Sequence, residues 1–373
     1  MKALYEKHGE KRFAAEIVNL INEGAVNENN FSLGALWDSM GRPSLRPNPI
    51  NMTSKVTEND FEIEEALDST AFPKITGALI NKVVQQAYDL EYGIADQLVT
   101  SIPSSVKDET VVGFSEDMGM QEVEESMAYQ EGSIGEKYHK IYNRKFGRII
   151  SLSEEMVKFD QTGQMIMRAK RIGEAAKSKK ERICLDAVLG LVTSGLNGSW
   201  RPAGTATTLY SATSTDPYST DTLNNLGSEG LSDETDLDTA LALFAQFTDE
   251  NGLPMVIDPK ILLTGISLRG VSNQICYSGQ AVKLTTPDKT KNIYTGTTAL
   301  QSAFVDQLVS ATAWFYGDFK KQFVYTDVMP LQVLQAKAGN DKEFENDILI
   351  RFKARFMGGC GAVSNRYVVK GNV

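Results

Sequence analysis

Charge divides one stretch of this chain more sharply than any other. Between Asp108 and Glu136 there are nine acidic residues and no basic one, among them Glu122, Glu124 and Glu125. Between Lys137 and Arg148 there are five basic residues, Lys137, Lys140, Arg144, Lys145 and Arg148, and no acidic one. Tyr138, Tyr142 and Phe146 recur at even spacing in the basic half, a strand pattern. Gly132 and Gly135 place a turn near the junction. The reading is a long β-hairpin with one acidic and one basic arm. Either the arms pair with each other, or they pair across subunits, where complementary charge sets register and partner choice. These eight named residues are the candidate inter-subunit contacts. A hairpin with charged arms and no apolar face of its own makes little sense on a lone monomer, so the core must be built elsewhere.

The apolar periodicities supply that core. Met165, Ala169, Ile172, Ala176, Ile183, Ala187 and Leu191 fall on one helical face and predict a helix over 162–193, ~48 Å long at the α-helical rise. Ser151 with Glu154 resembles a capping box, and Asp160 or Thr162 can start the main run. The other faces carry Arg168, Lys170, Arg171, Lys177, Lys179, Lys180 and Arg182. A basic helix can meet nucleic acid or be a solvated face paired with acidic neighbours; the net charge of -10 favours the second. Near the C-terminus Ile348, Ile350, Phe352, Ala354 and Phe356 alternate with Leu349, Arg351, Lys353, Arg355 and Met357. A period of two marks a strand with one face buried and the other basic and wet. Its hairpin partner is 331–334, and Gly358-Gly359-Cys360-Gly361 allows close backbone packing or a bulge.

The remaining segments read less sharply. A helix over 4–23 carries Phe13, Ile17, Leu20 and Ile21 at helical spacing, followed by an apolar patch at Phe31, Leu33, Leu36 and Trp37. Pro43, Pro47 and Pro49 make 41–51 an extended strap, either a linker or an arm across a neighbour. A second helix over 73–92 starts at Pro73 and lines Phe72, Ile75, Leu79, Val83, Ala87 and Leu90 on one face. In 194–233, fourteen of forty residues are Ser or Thr and five are Gly, a loop-rich insertion that could hold a small hairpin around 200–210. A mixed α/β unit follows: a helix from Leu237 to near Gly252, buried strands at 255–257 and 261–263, a helix at 269–277, and strands at 303–308 and 313–316.

Enzymatic signatures are missing. Two histidines, His8 and His139, cannot make an HExxH site and supply a Ser-His-Asp triad poorly. No phosphate loop or dinucleotide fingerprint occurs. Cys184, Cys276 and Cys360 have no close spacing, which suits a reducing cytosolic place of synthesis. No apolar run reaches membrane-helix length and no secretory signal is visible. No cofactor or metal is expected. Carboxylates are too many for counting to single out a catalytic pair, so an unrecognised enzyme stays as a minor alternative.

Four segments resemble the major capsid proteins of tailed phages, whose shared architecture is called Hong Kong 97-like, and specifically the major head subunits of transposable-type phages. They are 71–80 with its helix, the charged hairpin leading into 147–152 and the long helix, 251–263 with its Pro259-Lys260 strand, and 346–356 running through Gly361 to Asn365-Arg366-Tyr367-Val368-Val369. The resemblance covers about 70–373 and implies an α+β capsid fold. Its parts would be an N-terminal arm (1–70), a joining helix (71–104), an extended loop (105–150), and a peripheral domain with spine helix and insertion (151–233). An axial domain (234–327) and a peripheral C-terminal hairpin (328–373) would complete it. It implies a non-enzymatic subunit that assembles with itself into hexamers and pentamers of an icosahedral virion shell, enclosing double-stranded DNA without sequence-specific binding and without a membrane. Implied partners are a portal and possible decoration proteins. Only 60–70 residues precede the first matching helix, too few for a long scaffolding segment, so an uncleaved arm and a separate scaffolding protein are expected. Some relatives weld their shells through lysine–asparagine bonds; Lys137, Lys140 and Lys145 with Asn340, Asn346, Glu343 and Glu345 are too ordinary a set to imply this here. A cellular encapsulin-like compartment shell has the same architecture and is the alternative.

Overall fold

The strand that alternated most clearly in sequence is the axis of one of two compact units. A computed structural model of the chain describes residues 2–23, 31–32, 36, 71–89, 93–116, 134–153, 161–191, 209–215, 222–248, 254–280, 291–336 and 348–371. The proline strap, Leu33, Trp37, Leu90, Glu154, Asp160 and the acidic trio Glu122, Glu124 and Glu125 lie outside those residues.

The first unit comprises Met1–Tyr92, Lys145–Lys179 and Met329–Met357. Its helix α1 (Lys2–Asn22) buries Phe13, Ala14, Ile17 and Ile21. Helix α2 (Ala71–Asp89) buries Ile75, Leu79, Val83 and Ala87 as the spacing predicts, and also Thr76, Ile80 and Val84. The wider stripe follows from two neighbours. The α1 helix packs on α2, where Lys82 Nζ donates to the Ile21 carbonyl at 2.5 Å. On another side, α2 crosses the long helix α4 (Thr162–Val188) so closely that a Cβ on Gly173 would lie 2.4 Å from the Val84 carbonyl oxygen.

A four-stranded sheet has the order β1-β10-β11-β4, with β1 at Thr100–Pro103, β4 at Arg144–Ser153, β10 at Phe323–Gln335 and β11 at Ile348–Ala362. Along β11, Ile350, Phe352, Ala354 and Phe356 are buried while Lys353 is exposed and Arg351 and Arg355 are half-buried. Each buried aromatic here contributes about 1.5–3 kcal/mol relative to exposure.

The long helix is shorter than its periodicity predicted, ending at Val188. Gly190 adopts φ +69°, its N–H donates to the Ala187 carbonyl at 3.2 Å, and the Leu191 N–H donates to the Asp186 carbonyl at 3.0 Å. This pair of bonds around a left-handed glycine closes the last turn. Leu191 therefore matches the stripe without belonging to the helix.

The second unit comprises Gly93–Arg144, Lys180–Val328 and Gly358–Val373. Its sheet runs β12-β9-β7-β8, with β7 at Ile261–Thr264, β8 at Thr298–Gln301, β9 at Trp314–Gly317 and β12 at Val368–Gly371. Strand β8 is parallel to β7; β9 is antiparallel to both β7 and β12. Against one face lie helix α5 (Glu234–Phe244) and helix α6 (Arg269–Tyr277), in a core containing Leu237, Phe244, Phe247, Ile275, Trp314 and Tyr316. Asp233 and Asp236 form a capping box at the start of α5.

Three local expectations change. Helix α5 ends at Phe244, because Phe247 turns back to stack edge-on against Phe244 at 5.6 Å. Residues 255–257 form no buried strand: the chain makes one bridge, Thr248 with Pro254, and Val256 is 96% exposed. Residues 303–308 are a helix, α7 (Ala303–Leu308), capped by the Ser302 hydroxyl, which accepts from the Phe304 N–H at 3.3 Å. The place beside β7 is taken by β8, so 303–308 has no ladder to join.

Within the Ser/Thr-rich region, β5 (Ser214–Thr215) pairs antiparallel with β6 (Thr222–Leu223); the small hairpin expected around 200–210 falls largely on residues 200–208, outside the described residues. Asn225, fully buried, donates from Nδ2 to the Leu209 and Asn365 carbonyls at 2.8 and 3.0 Å. Leu223 and Leu231 enter the core of this unit.

Candidate functional site

The charged hairpin forms, and its register decides what its charges can reach. Strand β2 (Asp108–Glu116) runs antiparallel to β3 (Ile134–Tyr142). The arms therefore pair with each other as strands. Their charges do not pair in the same way. Lys137 lies opposite Gly113, Lys140 opposite Thr110, Asp108 opposite Tyr142, Glu109 opposite Ile141, and Glu116 opposite Ile134. No base of β3 has an acid of β2 as its direct partner, the position where cross-strand attraction is strongest.

The five basic candidates are distributed over two strands. Lys140 is exposed on β3; Arg144 begins β4 and is half-buried, while Lys145 and Arg148 on β4 are exposed. Glu122, Glu124 and Glu125 lie beyond the described part of the hairpin. His139 stands in the ladder opposite Val111.

What fixes the hairpin to the second unit is a residue that charge reading passed over. Asn143 breaks the alternation between β3 and β4 and is 3% exposed. Its Nδ2 donates to the Val106 carbonyl at 3.0 Å, and its backbone N–H donates to the Lys107 carbonyl at 2.9 Å. Its Oδ1 accepts from the Thr326 hydroxyl at 2.5 Å. Gly359 makes room for this: a Cβ there would sit 2.6 Å from the Tyr142 carbonyl oxygen and 3.1 Å from Asn143 Oδ1. The glycine cluster read as a site of close packing is one. The sequence signal for Asn143 was only a small polar residue interrupting an aromatic alternation.

A second anchor sits where the chain enters this unit. Glu181, buried on α4, accepts from the Ile94 and Ala95 backbone N–H groups at 2.8 and 3.1 Å, satisfying the start of helix α3 (Ala95–Leu98). Two of the basic residues of α4 pair with acids of the described chain. Lys180 pairs with Asp96 at 2.9 Å and Arg182 with Asp186 at 2.7 Å. Lys177 lies over the Tyr88 ring, Lys179 over Phe146 and Lys180 over Tyr325, at 5.6, 5.2 and 4.9 Å.

Groups that could do chemistry are held inert. The Cys184 thiol is hydrogen-bonded to Cys360 and buried, which raises it well above the ordinary thiol range. Burial pushes the Cys276 thiol up to about 11. Burial and a hydrogen bond to Asp238 raise Tyr294 far above a free phenol. Among the described residues no group of His, Cys, Asp and Glu could hold a metal ion, and no helix is long and apolar enough to cross a membrane. The described surface thus offers charge, strand edges and exposed apolar side chains for binding.

Comparisons with known proteins fit that picture. A family model described as phage capsid protein matches residues 141–371. No curated protein matches the chain. Among solved structures, one from Gordonia phage Cozz aligns at 12% identity and TM-score 0.46, covering 75% of this chain and 86% of that one. One from Mycobacterium phage Ogopogo aligns at 14% and 0.47, covering 75% and 91%. The capsid of the cyanophage P-SCSP1u aligns at 13% and 0.48, covering 75% and 88%.

Proposed function

This chain belongs to the phage capsid protein family, with its place in the virion, and from that premise we propose that it is the major subunit of an icosahedral head of Hong Kong 97-like architecture. In this reading the subunit assembles into hexamers and pentamers that enclose double-stranded DNA. Residues 105–150 are the extended loop, 1–70 the arm, 162–188 the spine helix within the peripheral domain, and 234–327 the axial domain. The role is structural, without a reaction or a cofactor. A net charge of -10 suits a wall that encloses DNA without gripping it, because phosphate binding needs a basic footprint. A separate scaffolding protein, a portal and decoration proteins are the partners this assembly would use.

The observation that carries the reading is the hairpin register. Lys137 stands in register with Gly113 and Lys140 with Thr110, so neither has an acid as its direct cross-strand partner, and a neighbouring subunit is where such charge finds its complement. Each subunit then makes moderate contacts with several neighbours, and repetition stabilises the shell through multivalency.

Negative-stain microscopy of the purified protein, expressed alone and then with its neighbouring genes, tests this directly. Closed uniform shells or hexameric rings are expected; monomers under both conditions would overturn it. The variant Lys140→Glu/Arg144→Glu/Lys145→Glu is expected to fold as a monomer and fail to form shells. Boiled particles on a denaturing gel are expected to run as monomer, since no welding bond is part of this reading.

A further inference from the structure

We propose that the basic N-terminal half of helix α4 is the seat for residues 58–68 of the same chain, an inference that concerns the subunit alone and stands apart from the shell reading. Four of the seven bases of α4 lie in its C-terminal half. There Lys180 and Arg182 pair with Asp96 and Asp186, while Lys177 and Lys179 lie over the rings of Tyr88 and Phe146. The other three, Arg168, Lys170 and Arg171, are exposed in the N-terminal half. Met167, 56% exposed, stands one helical turn from Lys170 and Arg171. Glu174 is the one acid of residues 162–176. An apolar side chain ringed by bases calls for an occupant that is acidic and apolar at once.

Residues 58–68, outside the described residues, have that composition. Glu58, Asp60, Glu62, Glu64, Glu65 and Asp68 are acidic, Phe61, Ile63 and Leu67 are apolar, and no base is present. Asp60, Glu64 and Asp68 recur every four residues, with Ile63 and Leu67 beside the last two. On α4 the steps are alike: Met167, Lys170, Arg171 and Glu174 are three or four apart. Carboxylates also match guanidinium geometry, two bonds at a time.

The run of α2 decides which chain supplies the occupant. A Cβ on Gly77 of α2 would lie 3.4 Å from the Phe352 ring. Further along, a Cβ on Gly173 of α4 would meet the Val84 carbonyl oxygen at 2.4 Å and the Tyr88 nitrogen at 3.2 Å, and Lys177 lies over Tyr88. Beyond that, Lys179 lies over Phe146, which stacks on Phe356 at 5.2 Å. Both helices therefore run from the Phe352 end of β11 toward the Phe356 end. The start of α2 and the basic half of α4 share one end of this unit. Only Ser69 and Thr70 separate Asp68 from α2. So short a tether sets an effective concentration on the order of millimolar, which any outside occupant must outcompete. Nucleic acid is the poorer occupant. Phosphates would use the bases but leave Met167 without a partner, and a chain of net charge -10 repels DNA at longer range.

The test uses the full wild-type chain, with isotopically heavy and light forms mixed in equal amounts before any assembly and treated with a carbodiimide that joins lysine to carboxylate. A peptide linking Lys170 to Glu62, Glu64 or Glu65 is expected, always within one isotope. The absence of that link would overturn the seat, and so would heavy–light links, which would assign the occupant to a second copy. Hydrogen exchange gives an independent readout. Arg171→Glu, at an exposed position, should keep the circular dichroism of the wild type and speed exchange of residues 58–68 about fivefold, as loss of exposed ion pairs does. Adding Glu64→Arg should slow exchange again, and molar salt should abolish the protection in the wild type. Equal exchange in Arg171→Glu and the wild type would overturn the seat. If that variant also captured duplex DNA less well, the face would belong to phosphate instead.

Discussion

Strands β9 and β11 are each built around large aromatics, yet they end in different states. All four residues of β9, Trp314 to Gly317, are buried. On one face Trp314 and Tyr316 meet the α5 and α6 core; on the other Phe315 meets Tyr210 edge-on at 5.3 Å. Strand β11 buries only every second residue between Ile350 and Phe356, and its alternate positions hold cations, two with unpartnered buried nitrogens. The β9 sheet completes itself within one chain. The β11 sheet is apolar enough to fold on one side and is left unsatisfied on the other. The difference teaches where stability is separated from assembly: substitutions in β9 should unfold the subunit, whereas substitutions on the open face of β11 should leave it folded and alone.

The largest effect expected from that contrast is Phe315→Ala, which removes a fully buried ring packed from both sides. It should cost about 3–5 kcal/mol in denaturant unfolding of the unassembled chain. A loss under about 1 kcal/mol would mean that the β9 sheet is not closed as described. Next comes Asn143→Leu, which strips the Val106 carbonyl and Thr326 hydroxyl of their partner. About 1–3 kcal/mol should be lost, with faster protease cleavage near residues 104–108; unchanged cleavage would show that the hairpin base is held by other bonds.

A smaller effect belongs to Cys276 in the α6 core. Its folded-state value is raised to about 11 from an ordinary 9.0, so the stability it contributes is fully present below pH 9. That contribution is lost as pH rises through about 11, because the unfolded chain releases the proton first. Unfolding midpoints measured between pH 8 and pH 11 should fall more for the wild type than for Cys276→Ala. Parallel curves would remove the thiol from the account. The smallest effect is the most informative: Lys353→Glu should shift monomer stability by no more than about 0.5 kcal/mol while it impairs assembly. A clear loss of monomer stability would erase the distinction between the two sheets.

Much of this was legible in residue order, because it rests on local period. The alternation in β11, the stripes of α1 and α2, helix α6 at its observed ends, and the hairpin all follow from side-chain spacing of two or 3.6. The failures share a cause. Leu191 fits the helical stripe, but Gly190 turns the chain before it. Residues 303–308 are apolar enough for a strand, but β8 already occupies the ladder. Arg351 and Arg355 look like an ordinary wet face until their partial burial is seen. The anchor Asn143 was not among the residues that charge singled out. Asn143 gains its role only because Thr326, 183 residues away in sequence, meets its side chain.

The sequence by itself determined the strongly periodic elements and the segregation of charge, since both depend on neighbours within a few positions along the chain. It also determined the family, through the match over 141–371. The tertiary structure alone decided which residues stand opposite the charged ones. Register sets Lys137 against Gly113 and Lys140 against Thr110, and sheet order sets β11 between β10 and β4. Those are properties of which backbone lies beside which, and loop closure over tens to hundreds of residues carries no local signature.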